Sequence, residues 1–154
     1  TGIDAAVFDT CTFRGVALPG AGLAGLDVHG SVFAGADLSG ADLSGANLAH
    51  ASFAGANLAN ANLARTAAAG CLFDAADLTG ADCRDAMLRG ASLAGSRCPR
   101  ANFSRATLTA TIWEAADLAG TWFAGAKLDQ ANLARPPETV RRCLRSQEDD
   151  RLAT

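Results

Sequence analysis

A large apolar side chain occupies every fifth position of this chain, from Ile3 through Phe8, Phe13, Leu18 and Leu23 to Leu133, giving 27 consecutive five-residue units with no slip of register. Only Ala68, Cys83 and Cys98 are small or weakly apolar at that centre. Two residues earlier the side chain is nearly always small, as at Ala36, Ala41, Ala46 and Ala51, with Val16 and Leu26 the bulky departures. A period of five matches neither a helix at 3.6 nor a strand at 2. It suits a chain that turns a corner every five residues and sends one large and one small residue inward on each side. A fixed period over nearly the whole length marks a solenoid.

The three other phases are polar or flexible. Glycine stands two residues after the centre in 14 of the 27 units, as a type II turn with positive φ at its second central residue requires. Asp or Asn often precedes the centre, as at Asp37, Asp42, Asn47, Asn57, Asn62 and Asp77, where a short polar side chain can bond to the local backbone.

Units such as Ala36-Asp37-Leu38-Ser39-Gly40 and Ala56-Asn57-Leu58-Ala59-Asn60 resemble the pentapeptide-repeat family, whose unit is Ala-(Asp/Asn)-Leu-X-X. The resemblance covers about residues 1–135. It implies an all-β solenoid, a right-handed quadrilateral parallel β-helix with four units to a coil and hence about 6.7 coils from the 27 units. Residues 20 apart then share a column. Phe13, Phe33, Phe53 and Phe73 form one such ladder, and Leu18, Leu38, Leu58 and Leu78 another. At the strand spacing the rod is on the order of 30 Å long. Ala68 is the expected underpacked point, because alanine replaces a large centre there.

The repeat stops at Arg135-Pro136-Pro137, dividing the chain into a repeat domain, 1–135, and a tail, 136–154. Two prolines end the coil and can open a helix. Val140, Cys143, Leu144 and Gln147 share one helical face, so residues 138–152 are expected to form a helical cap over the last coil, near Phe123, Leu128 and Leu133. Resemblance to some family members suggests a dimerisation element instead, leaving a monomer or a dimer through the tail.

Composition narrows the function. The net charge is −3, which argues against direct nucleic-acid binding. No run of 18 apolar residues and no signal peptide is visible, so no membrane role is expected. Cys11, Cys71, Cys83 and Cys98 fall at inward phases and lack metal or secreted spacings. They read as buried reduced thiols, with a Cys83–Cys98 disulfide the alternative, and a bacterial cytoplasm is the simplest home. The chain begins at Thr1 already in register, which fits either a trimmed protein or one module of a larger one.

No catalytic, cofactor-binding or metal residues are expected. His29 and His50 point outward with no partner placed by sequence, and the glycines repeat with the turns rather than forming a phosphate loop. The chemistry therefore lies on the outer surface. Val32, Leu72 and Ile112 are 40 apart on one face with few charges, a candidate partner-contact face. Arg84, Arg89, Arg97, Arg100 and Arg105 lie within about one coil, a candidate patch for an anionic partner. Two functions follow. One is a non-enzymatic protein-binding scaffold with no cofactor. The other comes from the resemblance: quinolone-resistance-type members imitate DNA and bind a type II topoisomerase, here through Asp37, Asp42, Asp77 and Asp117.

Overall fold

A computed structural model describes residues 8–133, 136, 138, 140–142 and 144–146. Successive coils pair in parallel at a spacing of 20 residues: Thr12 with Val32, Asp37 with Asn57, Asp42 with Asn62, Asn47 with Ala67, and onward to Ile112 with Asn132. Four five-residue units therefore close one turn of a four-sided rod. Its outward columns define four faces in chain order. Face 1 is Thr12, Val32, Ser52, Leu72, Ser92, Ile112 and Asn132. Face 2 is Ala17, Asp37, Asn57, Asp77, Arg97 and Asp117. Face 3 is Gly22, Asp42, Asn62, Asp82, Asn102 and Trp122, and face 4 is Asp27, Asn47, Ala67, Met87, Thr107 and Lys127.

One unit accounts for all its backbone donors. Asp37 N–H donates back to Val16 O at 2.8 Å, while Leu38 N–H and Gly40 N–H donate forward to Asn57 O and Ala59 O, each at 2.8 Å. Ala41 N–H closes the corner onto Leu38 O at 3.0 Å. The fifth donor, Ser39 N–H, goes to Asp37 Oδ1 at 3.1 Å. Every corner from Thr10 to Gln130 carries positive φ at its last residue, on 14 glycines and 11 other residues. The turn thus keeps one shape even where Ala75, Arg105 or Ala110 must adopt the left-handed conformation that disfavours a Cβ.

Inside, the centres fill the bore. Phe13, Phe33, Phe53 and Phe73 stack with ring centroids 4.8, 5.0 and 5.5 Å apart, the offset geometry that aromatic rings favour. Further along, Trp113 meets Phe103 and Phe123 edge-on, and its Nε1–H donates to Thr111 Oγ1 at 2.7 Å. The leucines at 38, 58 and 78 are fully buried.

Ala68 is buried but does not line the interior void. That void, about 10 Å³, lies against Leu63, Phe73, Cys83, Leu88, Leu93 and Phe103. The reason is the sum of side chains in a layer. The centre after Ala68 is Phe73, whereas the four successive centres Cys83, Leu88, Leu93 and Cys98 supply no aromatic ring. Cys11, Cys71, Cys83 and Cys98 are all free thiols. Burial pushes the Cys71 and Cys83 thiols well up and Cys98 up to about 12, so the interior thiols are unreactive.

Beyond the coils, Glu138, Val140–Arg142 and Leu144–Ser146 are helical. Val140 is fully buried in the core and Leu144 packs against it. Glu138 accepts from Arg141, Arg142 and Arg145 at 3.1, 3.4 and 2.6 Å. The rest of the expected 138–152 helix, Cys143 and Gln147 included, lies outside the described residues.

Near the other end a histidine bridges two coils. His29 Nε2 lies 3.0 Å from Asp9 of the preceding coil and Nδ1 2.8 Å from Asp27 of its own. The Asp27 hydrogen bond, with the charge of Asp9 adding to it, raises the imidazole above its ordinary value and lowers Asp27 below its own.

Three outcomes test this architecture. Phe53→Ala lowers stability by about 3–5 kcal/mol in chemical denaturation, as for other buried aromatic truncations; an unchanged midpoint contradicts the ladder. Ala110→Gly raises stability by about 0.5–1 kcal/mol, because relief of left-handed strain outweighs the added backbone entropy. Protonated His29 stabilises fully below about pH 6.5, and that contribution disappears as pH rises through its elevated native value. Asp27, lowered, contributes above about pH 4 and loses it on acidification. Thermal melts therefore shift downward between pH 5.5 and 8.5, and His29→Gln flattens that shift; an equal shift in the variant refutes the bridge.

Candidate functional site

The outer columns hold the candidate residues, and their alternation follows from the pleat: each sits one residue before an inward centre. Val32, Leu72 and Ile112 do share face 1, two coils apart, separated by Ser52 and Ser92. Leu72 and Ile112 are 43% and 42% exposed and Val32 is half-buried. Face 1 is the uncharged column among the described residues. On one edge it is bordered by Arg14, Asp74 and Glu114, and on the other by Asp9, His29, His50, Arg89 and Asp129. Ser92 Oγ–H donates to Asp74 Oδ1 at 2.6 Å.

The acidic candidates do not make one surface. Asp37, Asp77 and Asp117 stand on face 2, but Asp42 stands on face 3 beside Gly22 and Asn62. Residues five apart lie on adjacent sides of a four-sided coil, so sequence proximity misleads here. Each of the four carboxylates also caps a corner, accepting from the amides of Ser39, Ser44, Thr79 and Ala119 at 2.9–3.1 Å. The Ser39 and Ser44 contacts lower Asp37 and Asp42 below the usual carboxylate range. At Asp77 burial pulls upward, yet hydrogen bonds from Thr79 and the charge of Arg97 leave it lowered. Asn57 and Asn62 donate to Asp37 and Asp42 at 3.1 Å, and Arg97 pairs with Asp77 at 3.1 Å. These aspartates serve the backbone first.

The arginine group also disperses. Arg97 is on face 2, Arg100 on the corner between faces 2 and 3, Arg84 and Arg105 on the next corner, and Arg89 on the corner between faces 4 and 1. Twenty residues wrap the whole perimeter, so arginines within about one coil spread from face 2 round to the corner between faces 4 and 1 instead of forming one patch. Arg84 grips Asp82 through hydrogen bonds of 2.9, 3.1 and 2.6 Å, and Arg105 grips Asp85 at 2.8 and 2.7 Å.

Both nitrogens of His29 are held by carboxylates, which leaves neither free for a substrate proton. That pairing was readable from the sequence: Asp9 lies one coil below, and Asp27 occupies the capping position. Two further exposed residues, Met87 at 52% and Trp122 at 63%, stand at the same outward phase as Val32 but drew no notice there. Trp122 borders a cleft of about 540 Å³ between Gly120–Gly125 and the tail residues Arg142 and Ser146. Among the described residues its lining holds no carboxylate, histidine or cysteine. No cluster of three or more metal-ligating side chains exists among the described residues, and no helix among them is long and apolar enough to cross a membrane.

Solved structures with related coils include a trypsin-treated form of QnrB1, a plasmid-mediated fluoroquinolone resistance protein. It is 24% identical over 80% of this chain and 73% of that one, with a TM-score of 0.53. A pentapeptide repeat protein from the Arabidopsis thaliana thylakoid lumen is 29% identical over 62% of this chain, with a TM-score of 0.43; the match spans 63% of its own length. HetL, a pentapeptide repeat protein involved in heterocyst differentiation regulation from the cyanobacterium Nostoc, is 22% identical over 82% of this chain and 88% of that one, with a TM-score of 0.29. No curated protein sequence matches significantly. The family model for pentapeptide repeats matches residues 31–66, 56–95 and 101–135 in eight copies, well over half the chain. On that match, joined to the 20-residue coil, the chain belongs to the pentapeptide-repeat family of right-handed β-helices.

Proposed function

We propose that this protein is a non-enzymatic scaffold that binds a protein partner through face 1, with Val32, Leu72 and Ile112 as the contact residues. One observation carries the reading. On faces 2, 3 and 4 the outward column spends Asp or Asn on the backbone, capping corners at Asp27, Asn47, Asn57, Asn62, Asp82 and Asn102 among others. Face 1 has no Asp or Asn before Asn132. It forgoes the caps and carries exposed apolar side chains that add little to the coil, as a contact surface does. The tail, through Val140 and Leu144, caps the last coil against pairing with other chains.

A DNA-mimicking role at a type II topoisomerase is the runner-up, and the likeness to QnrB1 is a likeness of fold. Its support is weakened by Asp42 facing away from Asp37 and by Arg97 neutralising Asp77.

Two variants separate the readings. Val32→Asp, Leu72→Asp and Ile112→Asp together abolish capture of the partner from the source cell while the melt stays cooperative, and rising salt weakens the parent complex only modestly. Asp37→Asn, Asp42→Asn, Asp77→Asn and Asp117→Asn keep the corner caps, since Asn57 and Asn62 already cap in this chain, and leave capture intact. Topoisomerase inhibition in a supercoiling assay that survives the first set and is lost in the second defeats the scaffold reading.

A further inference from the structure

Resting on the assignment of face 1 as the contact surface, we infer that its occupant is a single amphipathic α-helix laid along the rod, with an apolar seam and a basic flank. Three features lead to this partner. The first is width. The strip is one column, about as broad as one helix of 10 Å diameter; its apolar members run from Val32 to Ile112 over roughly 19 Å, and the uncharged column from Thr12 to Asn132 over roughly 29 Å, the length of about 20 helical residues.

The second feature is spacing. Val32, Leu72 and Ile112 are ridges, and Ser52 and Ser92 between them are dips. Like positions recur every two coils, about 9.6 Å. Two turns of helix advance seven residues by about 10.5 Å, so a helix tilted by roughly 20–25° drops its seam residues into successive dips. Same-side residues of an extended strand recur at about 6.7 Å and fall out of step.

Charge is the third. Asp74 and Glu114 stand on the edge shared with face 2, two coils apart, each two residues after an exposed apolar ridge, Leu72 or Ile112. Between Leu72 and Ile112 the opposite edge carries one charged side chain, Arg89, while Asp9 and Asp129 lie toward its two ends and Arg14 lies toward the start of the acidic edge. Neither Glu114 nor Arg89 is ion-paired with another described residue. Over that stretch a helix with Lys or Arg on the flank above Asp74 and Glu114, and Glu or Asp opposite Arg89, meets both edges.

The probe is a synthetic amphipathic helix of about 21 residues, leucine along its seam, lysine on one flank and glutamate on the other, titrated against the full chain by fluorescence anisotropy. Saturable one-to-one binding is expected. Glutamate on both flanks weakens it about fivefold to tenfold, and Leu72→Asp or Ile112→Asp, each checked for an unchanged circular dichroism spectrum, weakens it about tenfold or more. The inference fails if a proline-broken peptide of the same composition binds equally well, if both substitutions leave binding unchanged, or if no binding occurs. A photo-cross-linker at position 72 in the source cell separates this from the scaffold reading. Cross-links into a basic amphipathic helix support both. Cross-links into an extended segment or a second copy overturn the helix and keep face 1. Partner capture that is indifferent to the triple aspartate variant removes both.

Discussion

Each coil hands its backbone hydrogen bonds to the next, and the rest of the rod follows from that transfer. Leu38 and Gly40 donate forward, Asp37 donates back, and the corner closes on Leu38 O. A coil alone would leave these groups to water, so the stability of any layer depends on its neighbours. The corner must repeat its shape to keep the coils in step. That is why residues as unlike as His50, Arg65, Ala75 and Gly80 all take positive φ at the same phase. Conformational strain is accepted at the non-glycine corners because the register on either side overrules it.

Much of this was legible in the sequence because a solenoid writes its architecture as a period. The phenylalanine column, the inward small residues and the turn glycines lie where a five-residue rhythm and a 20-residue coil put them. What escaped was anything depending on two dimensions at once. The arginines at 84, 89, 97, 100 and 105 look clustered along the chain but are spread over several sides of the rod. Asp42 looks like a neighbour of Asp37 but faces another direction. The void gathers around Cys83 rather than Ala68, since packing is decided by a whole layer and not by one centre. The hydrogen bond from each capped amide to its aspartate was expected in kind, but its consequence was not: an acidic column can be scaffolding.

The same separation of roles frames function. Inward positions and corners are committed to the coil, and the capping Asp and Asn residues are half committed. The remaining outward side chains are not used as corner caps, and their identity varies from face to face. Face 1 holds apolar residues there, and Met87 and Trp122 add two more exposed apolar points on other faces. A rod of this kind offers several narrow strips, each with its own chemistry, on one rigid body.

The layer of Cys83, Leu88, Leu93 and Cys98 has a mechanical meaning. Below it Phe13 to Phe73 stack without a gap; above it Phe103, Trp113 and Phe123 interlock. Between these two aromatic blocks stands a layer with no ring of its own and a small empty space beside it. A nearly one-dimensional chain of couplings parts at its weakest junction. This ring-free layer is therefore where a pull along the axis is expected to open the rod first.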